Sequence, residues 1–203
     1  MPFGILCLAL LKDGELVTPS LILFHVIVQS KGEIMKRTVI SAACIAAALA
    51  LTACASYQTG GGATAQLQPR SGSVMQGNVV LTQVGDKIRF EVLASNVPPG
   101  QHGFHVHEVG DCSAADAASA KGHYNPTAKQ HGSAESVEHH AGDLKNLVAD
   151  ATGNVRQVDE VVGLKISELV GRSLVVHADP DDYASQPAGN SGKRIGCCVI
   201  TAR

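Results

Sequence analysis

Apolar and polar residues alternate in short runs along the second half of the chain, which is the pattern of half-buried β-strands. The run KIRFEVL at residues 87–93 is the clearest, and its apolar members share one face: Ile88, Phe90 and Val92. A second run, SVMQGNVVLTQ at residues 73–83, precedes it. Because Val84-Gly85-Asp86 separates the two runs, the sequence predicts a β-hairpin with a Gly-Asp turn.

Later runs extend the β pattern to the C-terminus. They predict strands at residues 103–108, 144–149, 155–162, 173–177 and 195–201. Residues 165–170 predict a short helical turn. Two stretches without a strand pattern interrupt the series, at residues 110–143 and 179–193, and loops this long in a compact domain are usually functional. We therefore predict one all-β domain with two long functional loops.

The region before this domain has the features of an export signal. Residues 35–54 read MKRTVISAACIAAALALTAC, with a basic start, an Ala-rich apolar stretch and a lipobox-like end at Cys54. The alternative is a short transmembrane or buried helix, but the apolar stretch is shorter than the ~20 residues that a span needs. We interpret residues 35–53 as a lipoprotein signal peptide and Cys54 as the lipidated residue.

The remaining boundaries follow from that signal. Residues 1–34 lie upstream of a complete leader, and we interpret them as an upstream-extended start that is not part of the mature protein. Residues 54–71 predict the lipidated cysteine and a flexible tether, because YQTGGGATAQLQPR at 57–70 is rich in Gly, Thr and Gln. Residues 72–203 are the predicted domain. The expected location is the periplasm, with a lipid anchor in the outer membrane, since Ala55 and not Asp follows Cys54.

Composition argues against a nucleic-acid partner, and the cysteine positions limit which disulfide can form. The chain has 16 Lys+Arg against 18 Asp+Glu, 3% aromatic residues and no Trp, so no nucleic-acid partner is expected. Of six cysteines, Cys112, Cys197 and Cys198 lie within the predicted domain. Two of them should pair in an oxidising compartment. Adjacent strand residues face opposite ways, so only one of Cys197 and Cys198 faces Cys112.

Six histidines and one aspartate lie in four short clusters of that domain: His105 with His107, His123, His131 with His140 and Asp143, and His177. Imidazole and carboxylate are the ligands that zinc and copper prefer. His105 and His107 share one strand face, so both can point at one ion. Seven ligands are too many for one tetrahedral ion and suit two. His139 is the alternative to His140, and His102 is interpreted as a structural hydrogen-bonding residue.

The motifs around these residues resemble the copper/zinc superoxide dismutase family. They are Gly103-Phe104-His105-Val106-His107-Glu108, Gly122-His123-Tyr124-Asn125-Pro126, His140-Ala141-Gly142-Asp143-Leu144, Gly171-Arg172-Ser173-Leu174-Val175-Val176-His177 and Gly189-Asn190-Ser191-Gly192-Lys193-Arg194-Ile195-Gly196-Cys197. The late loop, with Gln186-Pro187, is similar to that of the bacterial periplasmic branch. The resemblance implies an eight-stranded Greek-key β-barrel or sandwich.

The resemblance also implies the metals and their ligands. Copper would be held by His105, His107, His123 and His177. Zinc would be held by His123, His131, His140 and Asp143, with His123 bridging the two ions. Asp181 would link ligands of both metals. Cys112–Cys197 would be the disulfide.

The implied activity is dismutation of superoxide to O₂ and H₂O₂, with Arg194 attracting the anion and His123 moving a proton. The implied partners are superoxide and, through the anchor, a membrane. Periplasmic relatives occur as monomers and as dimers, so a homodimer is one of two options. The alternative function is a periplasmic copper- and zinc-binding storage protein on the same fold. Two positions depart from the family pattern: Cys198, where a small residue is expected, and Tyr124, where Phe is more usual.

Overall fold

The computed structural model describes residues 61–203, which form an antiparallel β structure with very little helix. Ten strand segments follow one another along the chain: β1 Gly62–Pro69, β2 Gln76–Val84, β3 Lys87–Ser95, β4 Gly100–His102, β5 Phe104–His107, β6 Leu147–Ala149, β7 Val155–Val162, β8 Ser173–His177, β9 Arg194–Val199 and β10 Thr201–Ala202. The helix α1 at Ile166–Leu169 and a 3₁₀ helix at Ala118–Ala120 complete the described elements. Within this part of the chain, no helix has the length and apolarity that crossing a bilayer requires.

The strands curl into the predicted barrel. The main sheet has the order β5-β8-β9-β1-β2-β3-β7, with β10 beside β1, and β4 pairs with β6. Only Gly103 separates β4 from β5 and only Ile200 separates β9 from β10, so the ten segments make eight strands. The Gln157 side chain closes the gap between β6 and β7, accepting from Val148 N and donating to Asn146 O, both at 3.0 Å. The Greek-key prediction is confirmed.

Strand alternation fixes which side chains fill the barrel. In the β2–β3 hairpin, Gly85 takes the positive φ of +62° that the two-residue turn requires. The hairpin register sets Leu81 opposite Phe90, and both side chains are wholly buried. A register slip of one residue would turn Phe90 outward and lose roughly 1.5–3 kcal/mol of burial free energy. The predicted hairpin is therefore confirmed, both in its position along the chain and in which side chains point into the barrel.

Two parts of the chain differ from the sequence prediction. Residues 62–69 are not tether but β1, which pairs with β2, β9 and β10. Two of its three inward residues, Ala63 and Ala65, are small, and Leu67 is the one bulky side chain, so a criterion based on bulky apolar residues misses the strand. β4 was also not predicted, because only three residues, Gly-Gln-His, form it. The upstream segment, the signal peptide and Cys54 lie outside the described residues.

The barrel places β5 between the core and the two long loops. Phe104 and Val106 pack in the core, while His105 and His107 on the opposite face lie under the loops, so all four residues are buried. The pairing of β5 with β8, and of β8 with β9, brings His177 and Arg194 to the same side of the barrel. This side carries the candidate site.

Candidate metal centre

Main-chain hydrogen bonds attach the first long loop to β5. Val106 N donates to Gly142 O at 2.9 Å, and Tyr124 N donates to Val106 O at 2.8 Å. This pairing sets His105 opposite Asp143 and His107 opposite His123. A side chain at Gly142 would collide with Val106 O, so only glycine allows this close approach. The loop therefore delivers its histidines to the strand histidines at a fixed register.

The structure brings together the first predicted ligand group. His105, His107, His123 and His177 each offer a nitrogen within 4.8 Å of the others, and all four are buried. The inward nitrogens have no hydrogen-bond partner: His105 Nδ1, His107 Nε2, His123 Nε2 and His177 Nε2. A buried polar atom without a partner is costly, so four of them facing one another fit a binding site for a cation. The donor set fits copper, which prefers imidazole nitrogen.

The second predicted group lies directly beside the first. His123, His131, His140 and Asp143 again offer ligand atoms within 4.8 Å of one another. His123 Nδ1 lies 2.8 Å from Asp143 Oδ1, and His131 Nδ1 lies 3.0 Å from Oδ2. His140 Nδ1 lies 3.3 Å from His123 Nδ1. Three imidazole nitrogens around one carboxylate fit a closed zinc site.

His123 belongs to both groups because its ring nitrogens face opposite ways. Nδ1 faces Asp143 at 2.8 Å, while Nε2 is among the unpartnered nitrogens of the first group. The His123 ring lies 4.0 Å from the His105 ring and 5.4 Å from the His140 ring, centroid to centroid. His123 therefore offers one ring nitrogen to each group.

Hydrogen bonds to the outer nitrogens orient the ligands. Asp181 lies between the two groups, with Oδ2 2.8 Å from His105 Nε2 and Oδ1 2.8 Å from His131 Nε2. On the other side, His107 Nδ1 donates to Lys121 O at 2.9 Å. A hydrogen bond at one ring nitrogen leaves the other free to bind a metal, which fixes the tautomer.

Burial and the carboxylates shift the titration of these groups in opposite directions. Burial lowers the pKa of His105 to about 4, against the hydrogen bond with Asp181, and lowers the pKa of His107 to about 2. Both rings are therefore neutral near pH 7. Burial also disfavours charge on His131, but the adjacent carboxylates of Asp143 and Asp181 outweigh it and raise its pKa to about 9. Metal binding must therefore displace a proton at His131.

Comparison with known proteins decides the family. The family model described as copper/zinc superoxide dismutase matches residues 75–200. The chain belongs to the copper/zinc superoxide dismutase family. It is 43% identical over 133 residues to "Superoxide dismutase [Cu-Zn] 1" of Aquifex aeolicus (strain VF5), covering 61% of this chain and 79% of that protein. A second superoxide dismutase of the same organism is 41% identical over 147 residues, covering 68% and 85%.

Two further similarities lie outside the bacterial enzymes. The copper chaperone for superoxide dismutase of Rattus norvegicus is 37% identical over 146 residues, covering 68% of this chain and 53% of the chaperone. Among solved structures, the one titled "Crystal Structure Analysis of the clock protein EA4" superimposes with a TM-score of 0.65 at 35% identity. It covers 71% of this chain and 96% of its own. The fold of the described residues is thus shared with a solved structure of a different title.

As a copper/zinc superoxide dismutase, the protein is an oxidoreductase that converts superoxide to O₂ and H₂O₂ with copper and zinc as cofactors. When bound, copper supplies the one-electron redox change that zinc cannot, and zinc supplies a fixed charge that holds the loop. The protein contributes a buried site with preset nitrogen directions. All seven residues of the two groups are at most 7% exposed.

A disulfide holds the loop beside the dismutase site. Cys112 and Cys197 are bonded, as the family resemblance implies. The segment between Cys112 and Lys121 lies against Arg194, whose Nη1 donates to Ala117 O and Nη2 to Lys121 O, both at 2.7 Å. Lys121 O therefore accepts from both His107 and Arg194. The disulfide loop therefore orients both His107 and Arg194 through one carbonyl, that of Lys121.

Lys121 adopts an unfavourable backbone conformation at this shared carbonyl. Its φ of 64° and ψ of −146° lie in a region that glycine occupies without strain and other residues rarely enter. We expect Lys121→Gly to raise the free energy of unfolding by about 1 kcal/mol, because the strain disappears while the carbonyl contacts remain. Chemical denaturation of the metal-free protein measures this change in the free energy of unfolding. Lys193→Gly is the control, because Lys193 is exposed and has no positive φ, and this substitution should lower the free energy of unfolding. A loss of stability in both variants would contradict the strain argument.

The remaining sequence predictions near the site concern His139, His102 and Cys198. The structure brings His140 into the second group, while His139 lies outside it with Nδ1 2.7 Å from Ser136 O. His102 is buried, and its two ring nitrogens lie 2.9 Å from His177 O and 2.7 Å from Pro98 O. Cys198 is a buried free thiol facing the core, and burial raises its pKa to about 12, so it is unreactive near pH 7.

Sequence reasoning missed residues that hold the site through main-chain contacts. Asn146 is buried, and its side-chain amide accepts from Asp181 N and donates to Asp181 O, both at 2.9 Å. Arg70, in the predicted tether, donates from Nε to Cys112 O at 2.8 Å and so supports the disulfide loop. An Asn three residues after Asp143 gives only a weak indication of such a role, and nothing in the local sequence of Arg70 indicates one.

Proposed function

We propose that His105, His107, His123 and His177 hold copper, and that His123, His131, His140 and Asp143 hold zinc, in an exported, lipid-anchored superoxide dismutase. The observation that carries this assignment is the direction of the unpartnered nitrogens. Four point into the first group, and the Nδ1 atoms of the three loop histidines surround Asp143 in the second. Only His123 offers a nitrogen to each.

His123 is proposed to move a proton during turnover. Its Nε2 faces the copper group, while its Nδ1 stays on the zinc side beside Asp143. A proton taken up at Nε2 lies inside the substrate site, where product formation requires it. The surrounding burial excludes competing water from this position, since His123 is only 7% exposed.

Arg194 is proposed to bind the superoxide anion. Both terminal nitrogens are fixed by carbonyls of the disulfide loop, so the guanidinium is oriented before substrate arrives. Arg194 is paired with His177 in the β8–β9 ladder, and it donates to the same Lys121 carbonyl as His107. The cation therefore lies beside two members of the copper group, where an anionic substrate must approach.

We expect Arg194→Met to lower kcat/KM for superoxide by about 10- to 100-fold, because an oriented charge at the reacting anion is lost. Pulse radiolysis of the copper- and zinc-loaded variant measures the rate. Arg89→Met is the matched control, since Arg89 is exposed and pairs only with Glu160 on the barrel. Equal effects of the two substitutions, or none for Arg194→Met at full metal content, would contradict the proposed role.

Export and lipid anchoring are proposed from the sequence signal that ends at Cys54. Only seven residues separate Cys54 from β1, so the anchor would hold the barrel close to the bilayer. A periplasmic enzyme at the outer membrane would remove superoxide within the cell envelope. Mass spectrometry of the membrane fraction tests this: we expect an acylated N-terminal Cys54 peptide and no peptide from residues 1–53. An unmodified Cys54 would contradict the proposal.

The alternative is a copper- and zinc-storage protein on the same barrel. Storage requires the ligands but neither an oriented Arg194 nor a histidine shared between two groups. Both features are present, and they favour turnover. Superoxide removal by the purified, metal-loaded protein separates the two functions: stoichiometric copper and zinc without catalysis would favour storage.

A further inference from the structure

The late loop contacts the proposed zinc ligand His131 at two places. One contact is with the side chain of His131, whose Nε2 lies 2.8 Å from Asp181 Oδ1. The other is on the main chain. His131 N donates to Gln186 Oε1 at 2.8 Å, and Gln186 Nε2 donates back to His131 O at 2.9 Å. The Gln186 side-chain amide thus accepts one hydrogen bond from the main chain of His131 and donates one back, as a residue of a neighbouring β-strand would.

The turn around Gln186 is built to present this amide. Asp182 Oδ1 accepts from Ala184 N at 2.9 Å and from Ser185 N at 2.8 Å, which folds the chain back just before Gln186. Gly189 N donates to Ser185 O at 2.7 Å and closes the turn. Gly189 lies so near Asp181 and His131 that a Cβ there would overlap both. The loop therefore has one close-packed arrangement that holds Asp181 and Gln186 on the same histidine.

We infer that Gln186 is a positioning residue for zinc: its paired hydrogen bonds fix the main chain of His131 so that Nδ1 points at the zinc group. This inference rests on the proposed zinc role of His131. Main-chain rotation at His131 would swing the ring away from Asp143, while Asp181 alone constrains only the far nitrogen. Gln186 thus couples the late loop, which carries Asp181, to the early loop, which carries all four proposed zinc ligands.

The expected consequence is faster zinc loss without loss of the fold. Gln186→Met keeps the side-chain length and removes both hydrogen bonds. Because Gln186 is partly solvated, we expect a three- to tenfold faster transfer of zinc from the metal-loaded protein to a chromogenic chelator. Gln186→Glu should release zinc at least as fast, since a carboxylate oxygen would then face His131 O. Zinc release is followed at a temperature well below the melting point of each variant.

The matched control is Gln83→Met. Gln83 also uses both ends of its amide on the main chain, accepting from Ile166 N at 3.1 Å and donating to Lys87 O at 3.0 Å. It lies at the end of β2, among residues that offer no ligand to either group. We expect Gln83→Met to lower the melting temperature but to leave zinc release unchanged.

Three results would overturn the inference. In the first, Gln186→Met releases zinc at the wild-type rate. In the second, Gln83→Met accelerates zinc release as much as Gln186→Met does, which would attribute the faster release to a general loss of stability. Wild-type protein that binds copper but no zinc would overturn the proposed zinc site itself, and the inference with it. This third result can be told apart from the other two, because it is observed with the wild-type protein before any substitution is made.

Discussion

Replacing both Cys112 and Cys197 by alanine is expected to lower the free energy of unfolding by about 3–5 kcal/mol. The disulfide joins residues 85 positions apart, and cross-links that close long loops restrict the unfolded chain most. It also fastens the first long loop to β9, where main-chain pairing does not reach it. Denaturant unfolding of the metal-free protein under non-reducing conditions measures the loss.

The same double substitution should lower activity even where the barrel stays folded. Ala117 O and Lys121 O hold Arg194, and Lys121 O also holds His107, so a loosened loop disturbs the anion site and the copper group together. Cys198→Ala is the control, because it removes a buried sulfur from the adjacent position without opening the loop. Comparable losses of stability and activity in the control would show that core packing and not the cross-link is responsible.

Sequence pattern predicted the parts of the fold whose residues alternate strongly. Phe90 and Ile88 are bulky and inward, so β3 was evident, whereas Ala63 and Ala65 fill a narrow part of the barrel and β1 resembled a linker. The volume available at an inward position depends on neighbouring strands. That quantity is not contained in the local sequence, and the boundary of the domain moved from residue 72 to Gly62 for this reason.

The ligand groups were predictable to a greater extent than their supports. Metal ligands must be His, Cys or carboxylate residues, so few side chains qualify, and motif resemblance sorts them. Supporting contacts use main-chain carbonyls and amides, which every residue carries. Lys121 acts through its carbonyl and Gln186 through pairing with a main chain, so neither residue type indicates the role. Such contacts are evident only when the loops are seen packed together.

The shared ligand gives the largest expected effect on catalysis. His123→Ala should reduce superoxide dismutation by at least about a hundredfold, because both groups lose a member at once and the proposed proton carrier is removed. The two groups would keep three members each: His105, His107 and His177 on one side, and His131, His140 and Asp143 on the other. Both ions should therefore still bind, more weakly, at high metal concentration.

Spectroscopy separates loss of the bridge from simple loss of metal. In the wild-type protein, the copper EPR spectrum should change when zinc is removed, since His123 connects the two groups. In His123→Ala loaded with both ions, removal of zinc should leave the copper spectrum unchanged. His139→Ala is the matched control: His139 lies in the same loop outside the ligand group, and its variant should keep wild-type activity within twofold and the zinc-dependent spectrum. A His123→Ala protein whose copper spectrum still responds to zinc would show that the ions communicate by another route, and that His123 is not the bridge.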